Sequence, residues 1–148
     1  MKGGRSAAGH LLAALVLLGL VGLAYHAAPD NVFQFDDEIN IVRHGPMHVR
    51  ELTPGRLWQA IENAHLPRRA VANLTLALDW WRGGGDPRPF QWTNLVIHGL
   101  ATLAVFALLL QMLARTGAGS GRSALVAATL ATAIWVVHPI QVQAVTYI

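Results

Sequence analysis

WTNLVIHGLATLAVFALLLQMLA, Trp92 to Ala114, runs for 23 residues without a charged side chain. At 1.5 Å rise per residue such a helix is about 34 Å long, enough to cross the ~30 Å hydrocarbon layer of a bilayer while satisfying its own backbone hydrogen bonds. Two other windows lack charge, Ser6 to Pro29 and Ser123 to Ile148. Their best cores are GHLLAALVLLGLVGLAYHAA (Gly9–Ala28) and ALVAATLATAIWVVHP (Ala124–Pro139). The last is rich in Ala and Thr and also suits a helix buried in a larger bundle. The expected fold is all-α: a polytopic membrane protein of about three spans with a long, partly helical outer loop. Its divisions are an N-terminal span over 1–28, an extracytoplasmic loop over 29–91, and two further spans leading into the next outer segment over 92–148.

Composition agrees with that setting. Hydrophobic residues make up 53% of the chain and charged residues 13%, against roughly 25% charged in soluble domains. Lys2 and Arg5 ahead of an apolar core resemble a secretory signal, but Tyr25 or His26 falls where a small residue is needed before a cut, so the segment reads as a retained anchor. The absence of cysteine excludes disulfides and thiolate metal sites.

Basic residues orient the chain. Lys2 and Arg5 precede the first span, and Arg115 and Arg122 bracket the turn TGAGSG between the second and third. The N-terminus and that turn are therefore cytoplasmic, in a multi-pass protein of the cell inner membrane. Seven arginines lie in the 63 residues from Pro29 to Gln91, but so do all eight acidic residues of the chain, and a loop that long weakens the rule. The formal charge of +3 sits in the flanks of spans, so it does not point to nucleic acid.

The outer loop carries two helical patterns. LTPGRLWQAIENA (Leu52–Ala64) has Thr53 as a cap and Pro54 in its first turn. RAVANLTLALDWW (Arg69–Trp81) places Val71, Leu74, Leu78 and Trp81 at helical spacing and ends at a triple glycine. That stripe fits either a membrane surface or the interior of an outer domain. His44, His48 and His65 match no metal-ligand spacing and read as scattered, solvent-facing residues. The sequon Asn73-Leu-Thr lies inside a helix and is incidental.

In span two, Gln91, Asn94, His98 and Thr102 fall on one helix face and should point into a bundle, bonding other helices or lining a substrate cavity. Span three ends in HPIQVQAVTYI, His138 to Ile148. Just after span one, QFDDEIN (Gln34–Asn40) places three carboxylates in a row. The plain reading is a solvated acidic turn that caps the next segment.

Together, the first span, FDDEINIVR, RAVANLTLALDWWRGGGDPRPFQWTNLVIHGLATLAVFALLL and AIWVVHPIQVQAVTYI resemble the start of bacterial relatives of the transmembrane, tetratricopeptide-repeat O-mannosyltransferases. These are membrane glycosyltransferases of the GT-C superfamily. The most specific parts are the Asp pair with its aromatic lead-in, the Asn94-x-x-x-His98 spacing and the His138-Pro ending. The resemblance implies transfer of a sugar from a polyprenyl-phosphate donor to a protein or glycan acceptor on the outer face of the membrane.

The same resemblance implies that Asp36 and Asp37 are the catalytic carboxylates, one removing the acceptor's proton and the other holding structure or a metal. It implies Glu38, Arg43, Arg69, Asn94, His98, His138 and Gln143 as substrate-binding positions, with Arg43 and Arg68 or Arg69 available to the leaving phosphate. No residue is assigned as a metal ligand, and the use of a divalent metal stays open. This chain departs from the pattern at Ala70, where relatives have Pro; at Ala101, where a second Asn is common; and at Gln143, where many have Glu and which therefore has no acid/base duty. Relatives continue through further spans, so the chain is expected to be a fragment of a larger GT-C-like bundle, inactive alone. The competing class is a non-enzymatic membrane scaffold or transporter subunit.

Overall fold

The computed structural model describes residues 3–117 and 121–148, with side chains from Ala7 onward. Lys2, the side chain of Arg5 and the middle of the TGAGSG turn lie outside the described residues, so the orientation argument rests here on sequence. Every regular element described is helical. They are α1 (Gly3–Ala24), α2 (Pro54–Glu62), α3 (Ala70–Gly83), α4 (Arg88–Thr116), α5 (Arg122–Val137) and α6 (Val142–Thr146), with a π-helical turn at Glu38–Val42 and 3-10 turns at Ala28–Asp30, Gly45–Met47 and Pro139–Gln141. The chain forms two compact units: Met1–His26 with Leu95–Gln143, and Ala27–Asn94 with Ala144–Ile148.

The first unit holds the apolar helices. Ala7–Asp30 and Arg88–Thr116 are each long and apolar enough to cross a membrane. Along α1 and the turn that follows it, Ala13, Leu17, Val21 and Tyr25 recur every four residues and are buried, whereas Leu11, Leu12, Leu15 and Leu23 are exposed. An apolar outward face is what lipid requires and water would penalise. On α5 the buried line is Ala124, Ala128, Thr132 and Val136. These small side chains let the helices approach closely, the usual device where lipid removes the hydrophobic drive for helix pairing. A Cβ on Gly9 would stand 3.2 Å from Leu125 Cδ2. Ala13, Leu17, Phe106 and Ala128 form the resulting core.

The third apolar segment is a bent pair of helices. As a straight helix α5 has 16 residues, about 24 Å, short of the hydrocarbon thickness. Pro139 causes the break, because the residue before proline is pushed out of the α region, and His138 has ψ 131°. The helices on either side of the break meet at 53° and make a third span only if the bent pair counts as one.

The second unit is Ala27–Asn94 together with Ala144–Ile148. Thr53 caps α2 by accepting the Arg56 N–H at 3.3 Å. Met47, Val49, Ala60, Ala64 and Ala77 form its core, with Leu57 and Leu76 packed against them. α3 ends as the glycines predict: Gly84 has φ 59°, and a Cβ on Gly83 would collide with the Pro89 ring at 2.5 Å. The buried face of α3 is not its apolar stripe. Asn73 and Ala77 are buried, while Val71 is 78% and Trp81 43% exposed. Leu74 and Leu78, between them, are half-buried. Asn73 donates to the Leu66 carbonyl at 2.9 Å, tying down the segment before α3.

Of the loop histidines, His65 is exposed as expected, whereas His44 and His48 are half-buried. His48 is half-buried, stacks on Trp80 with ring centroids 3.7 Å apart, and donates through Nε2 to the Ile41 carbonyl at 2.9 Å. The ring of His44 lies 4.3 Å from that of His65 and donates to the Asn63 carbonyl at 2.8 Å. Sequence spacing gave no sign of these contacts because both histidines bond backbone carbonyls rather than each other's neighbours in the chain.

Candidate functional site

The acidic motif sits in a short turn of uncommon geometry. Phe35 takes φ 47°, the sole positive φ at a non-glycine residue among the described residues. For a bulky side chain that conformation costs about 1–3 kcal/mol and persists only where surroundings enforce it. Its ring is 78% exposed and meets Tyr147 edge-on at 5.9 Å. Immediately after it, the Asp36 carbonyl accepts the N–H groups of Ile39 and Asn40. Arg43 N–H then reaches back five residues to the Glu38 carbonyl at 2.9 Å. Single π-helical turns of this kind concentrate at functional sites because they store strain and re-aim side chains.

The two aspartates differ in environment. Asp36 is exposed. Asp37 is only 3% exposed, and its Oδ2 accepts the Gln34 N–H at 2.8 Å. Burial pushes the Asp37 carboxyl above the usual carboxylate range; the Gln34 N–H pulls it down, the Asp36 charge adds to the rise, and the Ile148 N–H opposes it. Glu38 is paired with Arg43 at 2.8 Å, both partners largely in solvent.

What holds this turn comes from far along the chain. Gln91 and Asn94, on the first turns of α4, donate to the carbonyls of Thr146 and Tyr147 at 2.9 and 2.6 Å, and Asn31 reaches Thr146 O at 3.4 Å. Three amides therefore fix 146–147, from which Tyr147 meets Phe35 and Ile148 meets Asp37. Asn94, expected at the substrate, has its amide committed to this scaffold. Phe33 packs edge-on against Phe90, the centroids 5.4 Å apart.

The remaining positions fall elsewhere. Arg69 is an exposed residue at the start of α3. In the apolar unit, His98 is buried, with its ring edge-on to Tyr25 at 5.2 Å and stacked near Trp135 at 5.3 Å. Its Nε2 has no hydrogen-bond partner among the described residues, nor has Gln91 Oε1. His138 is exposed and accepts the Ile140 N–H on Nδ1 at 3.2 Å, capping the turn after Pro139. Gln143 is exposed. The fold thus brings Asp36, Asp37, Glu38 and Arg43 onto one turn, and it adds Phe35, Tyr147 and Asn31, which spacing could not reveal.

A second buried carboxylate escaped the sequence reading. Asp79 is 1% exposed, accepts Thr93 Oγ1–H at 2.7 Å and Arg82 at 3.2 Å. Burial raises its pKa first, with the Thr93 and Arg82 contacts opposing. It joins α3 to the first turns of α4 and reads as structural. No group of three His, Asp or Glu side chains that could hold a metal ion occurs among the described residues.

No family model, curated protein or solved structure shows a significant match to this chain.

Proposed function

We propose that the chain belongs to the GT-C lineage of membrane glycosyltransferases and that Asp36 is its general base. The observation that carries the reading is the contrast within the acid pair: one carboxylate is free in solvent beside a strained aromatic, and its neighbour is buried and held by backbone N–H groups. An acceptor hydroxyl is a weak nucleophile. A carboxylate within hydrogen-bond reach removes its proton as the bond from sugar to phosphate breaks. Arg43, Arg68 and Arg69 supply cations of the kind that bind the leaving polyprenyl phosphate. Candidate membrane helices on both sides of the loop in sequence keep such a base near the headgroup region, where a lipid-linked donor presents its phosphate.

The test is release of polyprenyl phosphate from a labelled polyprenyl-phosphate sugar, in membranes of cells expressing the gene that encodes this chain. Asp36→Asn should remove the release while the protein stays at its normal membrane level. Release unchanged in that variant would overturn the assignment.

A non-enzymatic scaffold is the second reading, favoured by the unpartnered Nε2 of His98 and Oε1 of Gln91. Buried polar atoms in an apolar setting call for partners, which further helices could supply. Normal membrane insertion with no donor turnover under any condition would favour it.

A further inference from the structure

α3 carries an apolar stripe that the outer unit does not cover. Val71 and Trp81 are exposed, and Leu74 and Leu78 between them are half-buried. A stripe of that kind on a water-facing surface would be an aggregation liability. Only four residues, 84–87, separate α3 from α4, and α4 is a candidate span. Trp92 begins an outward line on α4 that continues through Val96 and Leu100, exposed by 58%, 59% and 63%. A Trp at the head of a lipid-facing line marks the level of the membrane interface. The charge pattern agrees: Arg68 and Arg69 precede α3 and Arg88 opens α4, all exposed, while Arg82, its side chain 56% exposed, is paired with Asp79. Arginines at the ends of an apolar stripe suit anionic headgroups beside an acyl boundary.

We infer that the Val71–Leu74–Leu78–Trp81 face of α3 docks into the headgroup–acyl boundary of the bilayer that α4 crosses, with the flanking arginines on anionic lipid. This holds independently of the proposed enzymatic role. It makes the outer unit a peripheral membrane element and leaves the polar face of α2, with Arg56, Gln59 and Glu62, to water.

The chain has no cysteine, so single cysteines report cleanly. Val71→Cys, Leu78→Cys and Glu62→Cys are placed one at a time in the full chain and labelled with an environment-sensitive dye. Each is then reconstituted in phosphatidylethanolamine and phosphatidylglycerol vesicles containing lipids spin-labelled near the headgroup. At positions 71 and 78 the dye should be quenched by the lipid label and its iodide quenching should be roughly threefold or more below that at position 62, as expected for a helix lying in the interface. Equal iodide quenching at 71, 78 and 62 would overturn the inference. So would protection of 71 and 78 from both quenchers, which would mean that protein covers the stripe.

Discussion

Asp37 Oδ2 accepts the backbone N–H of Gln34 at 2.8 Å, so the buried member of the acid pair is bound to the turn that presents its neighbour. Asp36 has no such tie and faces solvent. The two should therefore respond differently to the same substitution. Asp36→Asn should leave thermal unfolding within about 0.5 kcal/mol of the parent, as for an exposed site, while lowering transfer by roughly 10²–10⁴. Asp37→Asn weakens a charge-assisted acceptor and should shift unfolding by about 1–2 kcal/mol, with a smaller loss of transfer. Unfolding curves and donor turnover measured on both variants separate the roles; the reverse pattern would make Asp37 the base.

Asp79 gives a pH signature. Its folded-state pKa is raised by burial, so between the ordinary carboxylate value and the raised one the folded chain binds more protons than the unfolded chain. Stability from this group is then fully present at low pH and is lost as pH rises through that window. Asn at this position keeps the acceptor for Thr93 and removes the titration. The stability of the parent relative to Asp79→Asn should fall as pH rises above the ordinary carboxylate range. A difference independent of pH, or one that grows with pH, would contradict the burial-dominated shift.

Much of the membrane part was legible because it depends on length and charge alone. The windows around Gly9–Ala28 and Trp92–Ala114 contain no charge, and they coincide with α1 and α4. The bend in the third window was not legible, because hydropathy ignores what Pro139 does to the residue before it. In the loop, capping by Thr53 and the glycine stop after α3 were legible because they are local. The buried face of α3 was not, since a stripe of apolar residues does not say whether a core or a lipid surface will take it. The acid motif was visible as letters, but the difference between Asp36 and Asp37 depends on 144–148, more than a hundred residues later. No periodicity carries that contact.

Helix packing in the apolar unit makes a prediction through Ala128, which is 1% exposed and lies in the core with Ala13, Leu17 and Phe106. Leu at this position adds volume where α1 and α5 meet and should destabilise by about 1–3 kcal/mol. Leu130→Ala, at a position 60% exposed on the same helix, should change stability little, because few protein atoms surround it. Denaturant titration in detergent micelles compares them; equal effects would mean that α5 presents a different face.

Arg115 and Arg122, beside the short segment between α4 and α5, predict an orientation. Cysteines at Thr116 and Val32, both exposed, should react oppositely with an impermeant thiol reagent in intact cells, Val32→Cys labelled and Thr116→Cys protected until lysis. The opposite result would invert the topology and put the acidic turn on the cytoplasmic side.

His98 supplies the sharpest test of whether the apolar unit is built for more than its own packing. Its ring sits between Tyr25 and Trp135, yet Nε2 is buried without a partner. An unmet polar atom costs about 1–3 kcal/mol, so a fold needing only the ring would be served better by an apolar one. His98→Phe keeps an aromatic ring between the same neighbours and removes both ring nitrogens, Nδ1 and the unpartnered Nε2. Its unfolding midpoint should be no lower than the parent's, while donor turnover falls at least tenfold if Nε2 is reserved for substrate or for a further helix that completes the site. A midpoint lowered by more than about 2 kcal/mol equivalent would mean that the imidazole stabilises this unit itself, and unchanged turnover would remove His98 from the proposed machinery.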